Sequence, residues 1–249
     1  MRSEPKDLVD VIRPEIWNNG CGITAAFSTR HFGDGNKAFS MAYSEMARDS
    51  TVDYNRTVWL DHIGLKGIPL ALGNQVHGSE VRTVTDSTFQ ADTDGLVTKQ
   101  KNLALGILVA DCAAVLLADR KAGVIAAVHA GWRGAVEGIL EKAIFKMLLA
   151  GADVRETEAF ISPCISLSAF ESGGEVARLF PVQFVDYSTY DKPHIDLKKF
   201  INHELVKAGL RQNRIETNPL CTVSEGDKLH SFRRDKERSG RMMAVIAMQ

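Results

Sequence analysis

Two apolar runs joined by a three-residue link constrain this chain more than any other feature. LGILVADCAAVLLAD, residues 105–119, and GVIAAVHAG, residues 123–131, flank Arg120-Lys121-Ala122, a short polar connection that predicts an antiparallel hairpin. With Arg120-Lys121 as the loop, Asp119 faces Ala122 and Cys112 lies directly across from His129. With a four-residue loop and Gly123 in the left-handed position, Cys112 lies opposite Gly131, diagonal to His129 on the same face. Either even loop places thiol and imidazole on one side of the sheet, with β-carbons roughly 5 to 8 Å apart. A three-residue loop, or a bulge at Asp111, would separate them.

The rest of the chain reads as a mixture of strands and helices. Val/Ile/Leu/Ala-rich stretches at 24–29, 69–72, 103–109, 114–118, 124–129, 159–162 and 242–247 are bounded by Gly, Asp, Asn or Ser and predict strands. Residues 52–63, 135–149 and 197–208 predict helices: Gly151 supplies a stop to the second, and Asp196 and Gly209 supply caps to the third. No repeat and no low-complexity linker breaks the 249 residues, so one mixed α/β domain spanning 1–249 is expected. Strands and helices alternate too irregularly for a doubly wound parallel sheet.

Charge narrows the partners. Lys plus Arg total 30 against 31 Asp plus Glu, a balance that offers no footprint for nucleic acid or an anionic membrane. The longest apolar run, residues 103–110, ends at Asp111 and is too short to span a bilayer. MRSEPKDLVDVIRPEIW lacks the apolar centre of a signal peptide, so a cytoplasmic protein is expected. Cys21, Cys112, Cys164 and Cys221 form no C-x-x-C pair, which points to neither a disulfide framework nor a zinc knuckle.

Three residues form the candidate chemical centre. Cys112 and His129 share a hairpin face, and His77 stands in the polar GNQVHGSEV. Two histidines and a cysteine suit catalytic zinc with one open position, the trigonal set of a blue-copper centre, or, without metal, a Cys-His nucleophile. After the strand, Gly131-Trp132-Arg133-Gly134 open a helix whose free amides would suit an anion such as phosphate, although no nucleotide fingerprint is met. The run SFRRDKERSGRM reads as a solvated loop of mixed charge, and Asp92 and Asp94 in QADTDGLVT read as an Asx-turn before a strand-like GLVT.

In order, NQVHGSEV, DTDGLVT, VADCAAVLLAD, VHAGWRG, FESGGEV, HIDL and SFRRDKERSGR resemble the YfiH-type family, known both as laccase-domain polyphenol oxidases and as purine nucleoside phosphorylases. The resemblance runs from FSTRHFGDG nearly to the end of the chain. It implies a layered sandwich of mixed β-sheets flanked by helices, with zinc on His77, Cys112 and His129. It also implies phosphorolysis of adenosine, inosine, guanosine and S-methyl-5'-thioadenosine, with adenosine deamination as a second reaction. Arg30, Asn55, Arg56, Gln75 and Arg133 occupy motif positions that imply contacts to purine nucleoside or phosphate. Gly131 and Gly134 join them through their loop amides, and Asp94 or Glu175 are acid/base candidates for deamination. Two departures stand out: MAYSEMARD replaces the family's Ser-Leu-Asn-Leu stretch, and Ala114 stands where proline often follows A-D-C. A copper-dependent oxidase is the principal rival, yet the seven histidines show no H-x-H pairing to build a copper cluster. The oligomeric state is left open by the sequence.

Overall fold

The hairpin forms with the longer of its two expected loops. In the computed structural model, which describes residues 11–18, 22–32, 39–43 and 50–249, Asp119 pairs with Val124 and Ala114 with His129. Residues 120–123 are left as the loop, and Gly123 takes a left-handed φ of 62°. The Asp119 carboxylate closes the turn by accepting the Lys121 and Ala122 N–H groups at 2.9 and 3.0 Å. Cys21, residues 33–35 of FSTRHFGDG and residues 44–49 of MAYSEMARD lie outside the described residues.

Thirteen strands are found among the described residues. They are β1 (Val11–Ile12), β2 (Ile23–Ser28), β3 (Leu70–Ala71), β4 (Val81–Thr83), β5 (Gly95–Thr98), β6 (Ala104–Val109), β7 (Ala113–Asp119), β8 (Val124–Ala130), β9 (Glu158–Ile161), β10 (Val185–Asp186), β11 (His194–Ile195), β12 (Ile215–Thr217) and β13 (Met242–Met248). The helices are α1 (Ser50–His62), α2 (Trp132–Val136), α3 (Ile139–Leu149), α4 (Gly174–Ala177), α5 (Leu197–Lys207) and α6 (Phe232–Asp235). One sheet runs β1-β2-β13-β6-β3 and the other β12-β9-β7-β8-β5-β4, with β10 and β11 as a separate ribbon. Both large sheets are mixed, because β3 joins β6, β4 joins β5 and β12 joins β9 in parallel while the central pairs are antiparallel.

Alternation along the strands sorts the side chains into three apolar layers. On β7 and β8, Ala114, Leu116, Ile125 and Ala127 meet Leu105, Ile107, Ala244 and Ile246 of the other sheet. The opposite faces, with Val115, Leu117, Ala126 and Val128, pack under Ile139, Leu140 and Ile144 of α3 and Phe200 and Ile201 of α5. On the far side, Met243 and Val245 of β13 are covered by Trp59 and Leu60 of α1. The result is helix, sheet, sheet, helix, a mixed α/β sandwich. Leu116 and Leu117 are completely buried on opposite faces of one strand, and each such side chain contributes about 1.5–3 kcal/mol.

One helix differs from expectation. The stretch 135–149 is split: α2 starts three residues earlier, at Trp132, and Gly138, at φ 79°, separates it from α3. A left-handed glycine ends one helix cheaply and lets the next begin at its own angle. The caps on α5 form as expected, with Asp196 accepting the Lys199 N–H at 3.0 Å and Gly209 at φ 110°. Among the described residues no helix is long and apolar enough to cross a membrane.

Candidate functional site

Strand parity carries Cys112 and His129 to the mouth of the space between the sheets. Cys112 continues the Ala114–Leu116 face of β7, and His129 continues the Ile125–Ala127 face of β8. The chain turns from β6 into β7 through Asp111, whose φ is 85°. That corner is tied from outside: Thr222 Oγ1 and the Arg233 N–H each donate to the Asp111 carboxylate at 2.6 Å. The third donor arrives on the loop between β3 and β4, where His77 has φ 60°. The ligand atoms of His77, Cys112 and His129 all lie within 4.8 Å of one another, and the two imidazoles meet edge to face at 4.8 Å.

Gly131 makes this approach feasible. A Cβ there would lie 3.0 Å from Cys112 Sγ and 3.4 Å from His77 Cδ2. Behind the trio sits Asp94, completely buried. Its carboxylate accepts from His129 Nδ1 at 2.7 Å and from the N–H groups of Val76, His77 and Gly78 at 3.0–3.1 Å. Because a carboxylate only accepts, Nδ1 carries the proton and the Nε2 lone pair of neutral His129 is free for a ligand. Asp94 is therefore a fixed support of the centre rather than the simple turn residue its sequence context suggested.

The charges of the centre are coupled. Burial pushes the Cys112 thiol up, but hydrogen bonds from His129 and His77 outweigh it and bring the pKa down to about 6. Burial likewise pushes His129 down, while its bonds to Asp94 and Cys112 raise it to about 9. Burial also opposes ionisation of Asp94, yet the His129 bond and the Gly78 and Val76 amides hold it below the usual carboxylate range. Between these values the metal-free pair is a thiolate and an imidazolium holding one proton. An ion on the same atoms displaces that proton, so metal affinity is expected to rise about tenfold per pH unit from about pH 6 to about pH 9 and then level off. Calorimetry in buffers of different ionisation enthalpy should find one proton released per ion in that window; release of none would contradict the thiolate–imidazolium state.

The donors line a cleft of about 980 Å³. Arg56, Arg133, Arg233, Lys236 and Arg241 also line it, with Tyr43, Phe89, Trp132, Phe170 and Phe232 among them. Among the described residues Asp111 is the one carboxylate on its wall, and both its oxygens are engaged as described. Arg133 stacks on Trp132 at 4.6 Å, Arg56 on Tyr43 at 4.9 Å, Arg233 on Phe170 at 5.8 Å and Arg241 on Phe232 at 5.6 Å. Burial lowers the pKa of both Arg56 and Arg241. Arg56 Nε donates to the Met41 carbonyl, and the Arg241 carbonyl accepts from the Met41 N–H, so one residue anchors both.

The expected site residues do not all reach this cleft. His77, Cys112, His129, Arg56, Gln75 and Arg133 line it. The Gln75 amide is engaged by Leu108, donating at 2.7 Å and accepting at 2.8 Å, a clamp of the His77 loop on β6. Arg30 instead turns to the Gly226 carbonyl. Asn55 falls on the buried stripe of α1 with Val52 and Trp59 and donates to the Ser40 carbonyl at 2.9 Å. Glu175 is exposed on α4, away from the cleft wall. Gly134 packs beneath the Gly78 carbonyl, so its missing Cβ, more than its amide, accounts for the glycine.

The C-terminal charged run is the largest correction. It is no solvated loop: Phe232 and Arg233 of α6, Lys236 just after it and Arg241 further on line the cleft. Arg234 is its anchor, donating to the Thr222, Val223 and Leu229 carbonyls at 2.9–3.0 Å. The mixed charges concealed two populations, one fastening the segment and one facing the cleft. The signal was the interleaving of Phe232 with arginines.

Comparison with known proteins agrees with this architecture. Residues 24–249 match the family described as multi-copper polyphenol oxidoreductase laccase. A purine nucleoside phosphorylase of Mycobacterium tuberculosis (strain H37Rv) is 35% identical over 225 residues, covering 88% of this chain and 83% of its own. An adenosine deaminase from an unknown prokaryotic organism is 30% identical over 247 residues, covering 90% and 94%. The crystal structure of the Bacillus licheniformis hypothetical protein YfiH has a TM-score of 0.89 over 98% of each chain at 25% identity. This chain therefore belongs to the laccase-like family that includes YfiH, whose curated relatives carry the names purine nucleoside phosphorylase and adenosine deaminase.

Proposed function

We propose that this protein is a zinc-dependent purine nucleoside phosphorylase acting on adenosine, inosine, guanosine and S-methyl-5'-thioadenosine, with adenosine deamination as a side activity. The observation that carries this reading is the joint presence of a metal-donor set and several arginines in one cleft. A His2Cys donor set lines it, and four arginines on the same wall, Arg56, Arg133, Arg233 and Arg241, make no ion pair with a carboxylate among the described residues. Arg56, Arg233 and Arg241 are partly buried and Arg133 is exposed; partly buried cations without carboxylate partners favour an anionic ligand. The aromatic faces that line the same cleft suit a purine.

The donor set fits zinc. Two imidazoles and one thiolate are three protein ligands, which would leave one coordination position open, the pattern of a catalytic site. His77, Cys112 and His129 would hold the ion, which supplies Lewis-acid polarisation of the base or of an attacking water. Arg56 and Arg241 hold the phosphate, with Arg133 and Arg233 on the flanking walls, so that its oxygen is oriented at the ribose C1′ as positive charge develops there. Phosphate is its own nucleophile and needs no protein base. Deamination does need proton transfer, and among the described residues the one carboxylate on the wall, Asp111, has both oxygens engaged. Asp94, with its carboxylate occupied, and Glu175, outside the cleft, are not proposed as the acid/base.

The family's description names copper, and the trio also suits a trigonal copper site. A multicopper oxidase needs further clusters, however, and among the described residues this trio is the sole group of three or more possible ligands. A second reading rests on the Asp94–His129–Cys112 alignment, which is also that of a cysteine nucleophile with an oriented base. Alkylation separates the two: zinc should protect Cys112, whereas a nucleophile would be alkylated in the active, metal-free protein.

The deciding assay incubates zinc-loaded protein with adenosine, with and without phosphate. Adenine plus ribose 1-phosphate should form only with phosphate, and inosine slowly without it; no product from either mixture would refute the proposal. Arg241→Gln removes one charged donor, so KM for phosphate should rise about 10- to 100-fold, corresponding to about 1.5–3 kcal/mol. An unchanged KM would remove Arg241 from the phosphate subsite.

A further inference from the structure

Asp94 touches more of the centre than any other side chain, although it does not line the cleft. Each carboxylate oxygen has two partners. Oδ1 accepts from His129 Nδ1 at 2.7 Å and the His77 N–H at 3.0 Å; Oδ2 accepts from the Val76 N–H at 3.1 Å and the Gly78 N–H at 3.0 Å. All four acceptor positions of the carboxylate are filled. The backbone repeats the link: the Asp94 carbonyl accepts the His129 N–H at 2.7 Å, and the Glu80 carbonyl accepts the N–H groups of Asp94 and Gly95 at 3.1 Å. His77, with φ 60°, needs such support, since a left-handed conformation is unfavourable for a non-glycine residue.

We propose that Asp94 is the positioning residue for both histidines, one buried carboxylate that sets the tautomer of His129 and the left-handed backbone of His77 together. Two ligands from separate elements, a loop and a strand end, are thereby fixed to one reference point. This inference rests on the trio being a metal site, but not on which nucleoside the protein uses.

Asp94→Asn separates positioning from general stability. The amide has one acceptor oxygen where two are required. If its nitrogen replaces Oδ2, two donors face the Val76 and Gly78 N–H groups and the His77 turn loosens. If it replaces Oδ1, it donates to His129 Nδ1, moving the ring proton to Nε2 and blocking the metal-binding lone pair. The first orientation impairs His77, and the second impairs both histidines, because Oδ1 also accepts the His77 N–H. Zinc affinity, measured by competition with a chromophoric chelator, is expected to fall about 10- to 100-fold, and the thiolate charge-transfer bands of the cobalt(II) form should change. A variant that unfolds at lower temperature but, while folded, binds zinc within threefold of wild type with the same cobalt spectrum would overturn the proposal. Should Asp94→Asn fail to fold, nitrogen-15 NMR of histidine in the zinc-loaded wild type still decides: His129 protonated at Nδ1 supports the proposal, and protonation at Nε2 overturns it. Neither measurement uses a nucleoside, so failure of the catalytic reading and failure of this one are distinguishable.

Discussion

Replacing Cys112 with alanine should leave a folded protein that neither retains zinc nor turns over adenosine. The side chain is half-buried at the start of β7, and the backbone around it is fixed independently by the Asp111 corner and by pairing with β8. Removing its sulfur therefore opens little core. The electrostatic consequence is larger, because the thiolate is the centre's one anionic donor on the cleft side, and two neutral imidazoles hold zinc far less well than a His2Cys set. Loss of an outer partner of a ligand costs about 10- to 100-fold in affinity or activity, and loss of the ligand itself should exceed that. His129 should also titrate below about 9, since Cys112 is one of the two groups that raise its pKa. Metal analysis, adenosine turnover and histidine NMR on one preparation test all three expectations. Wild-type phosphorolysis by Cys112→Ala would exclude both the metal reading and the cysteine-nucleophile reading.

How far the residues announced this site depends on the range of the signal. The hairpin was legible because its determinants are local: two apolar strands, a polar link, and Gly123 available for the left-handed position. Parity then put Cys112 and His129 on one face without knowledge of the remaining fold. His77 was a candidate from its polar GNQVHGSEV segment, but only resemblance joined it to the pair, since no spacing rule links a loop before β4 to the end of β8. Asp94 was seen but read locally: a DTDG sequence is ordinarily a turn, and that its carboxylate reaches both a strand end and the His77 loop is a tertiary fact. The same limit explains Arg30 and Asn55, which resemblance placed at substrate but packing turned towards the Gly226 and Ser40 carbonyls. It also explains the C-terminal run, where Arg233 and Arg234 are adjacent yet have different roles, one along the cleft and one inward as an anchor. Layer order needed the three-dimensional structure as well, because β13, the final strand, pairs with β2 near the start and β6 in the middle.

Gly134→Ala should be the most damaging change that removes no chemical group from the cleft. Two effects oppose each other. Alanine favours a helix over glycine by about 1 kcal/mol, and α2 contains this position. Against that, the new Cβ would fall well inside van der Waals contact distance of the Gly78 carbonyl oxygen, a backbone atom with no side-chain freedom to move away. Overpacking of this kind costs about 1–3 kcal/mol, so the clash prevails and the parts must separate by about an ångström. If the loop retreats, Gly78 takes His77 away from Cys112 and weakens its bonds to Asp94. If α2 lifts instead, Trp132 and Arg133 leave the cleft wall. Both routes disturb the site, and a misplacement of this size typically costs about a hundredfold in rate. The expected result is a protein with wild-type circular dichroism, a lower unfolding temperature and about a hundredfold lower phosphorolysis. Zinc content distinguishes the routes: it falls if the loop moves and persists, with a raised KM, if the helix moves. Wild-type zinc content, rate and KM together would show that Gly134 has no part in holding the centre closed, leaving Gly131, against Cys112 Sγ, as its one steric glycine.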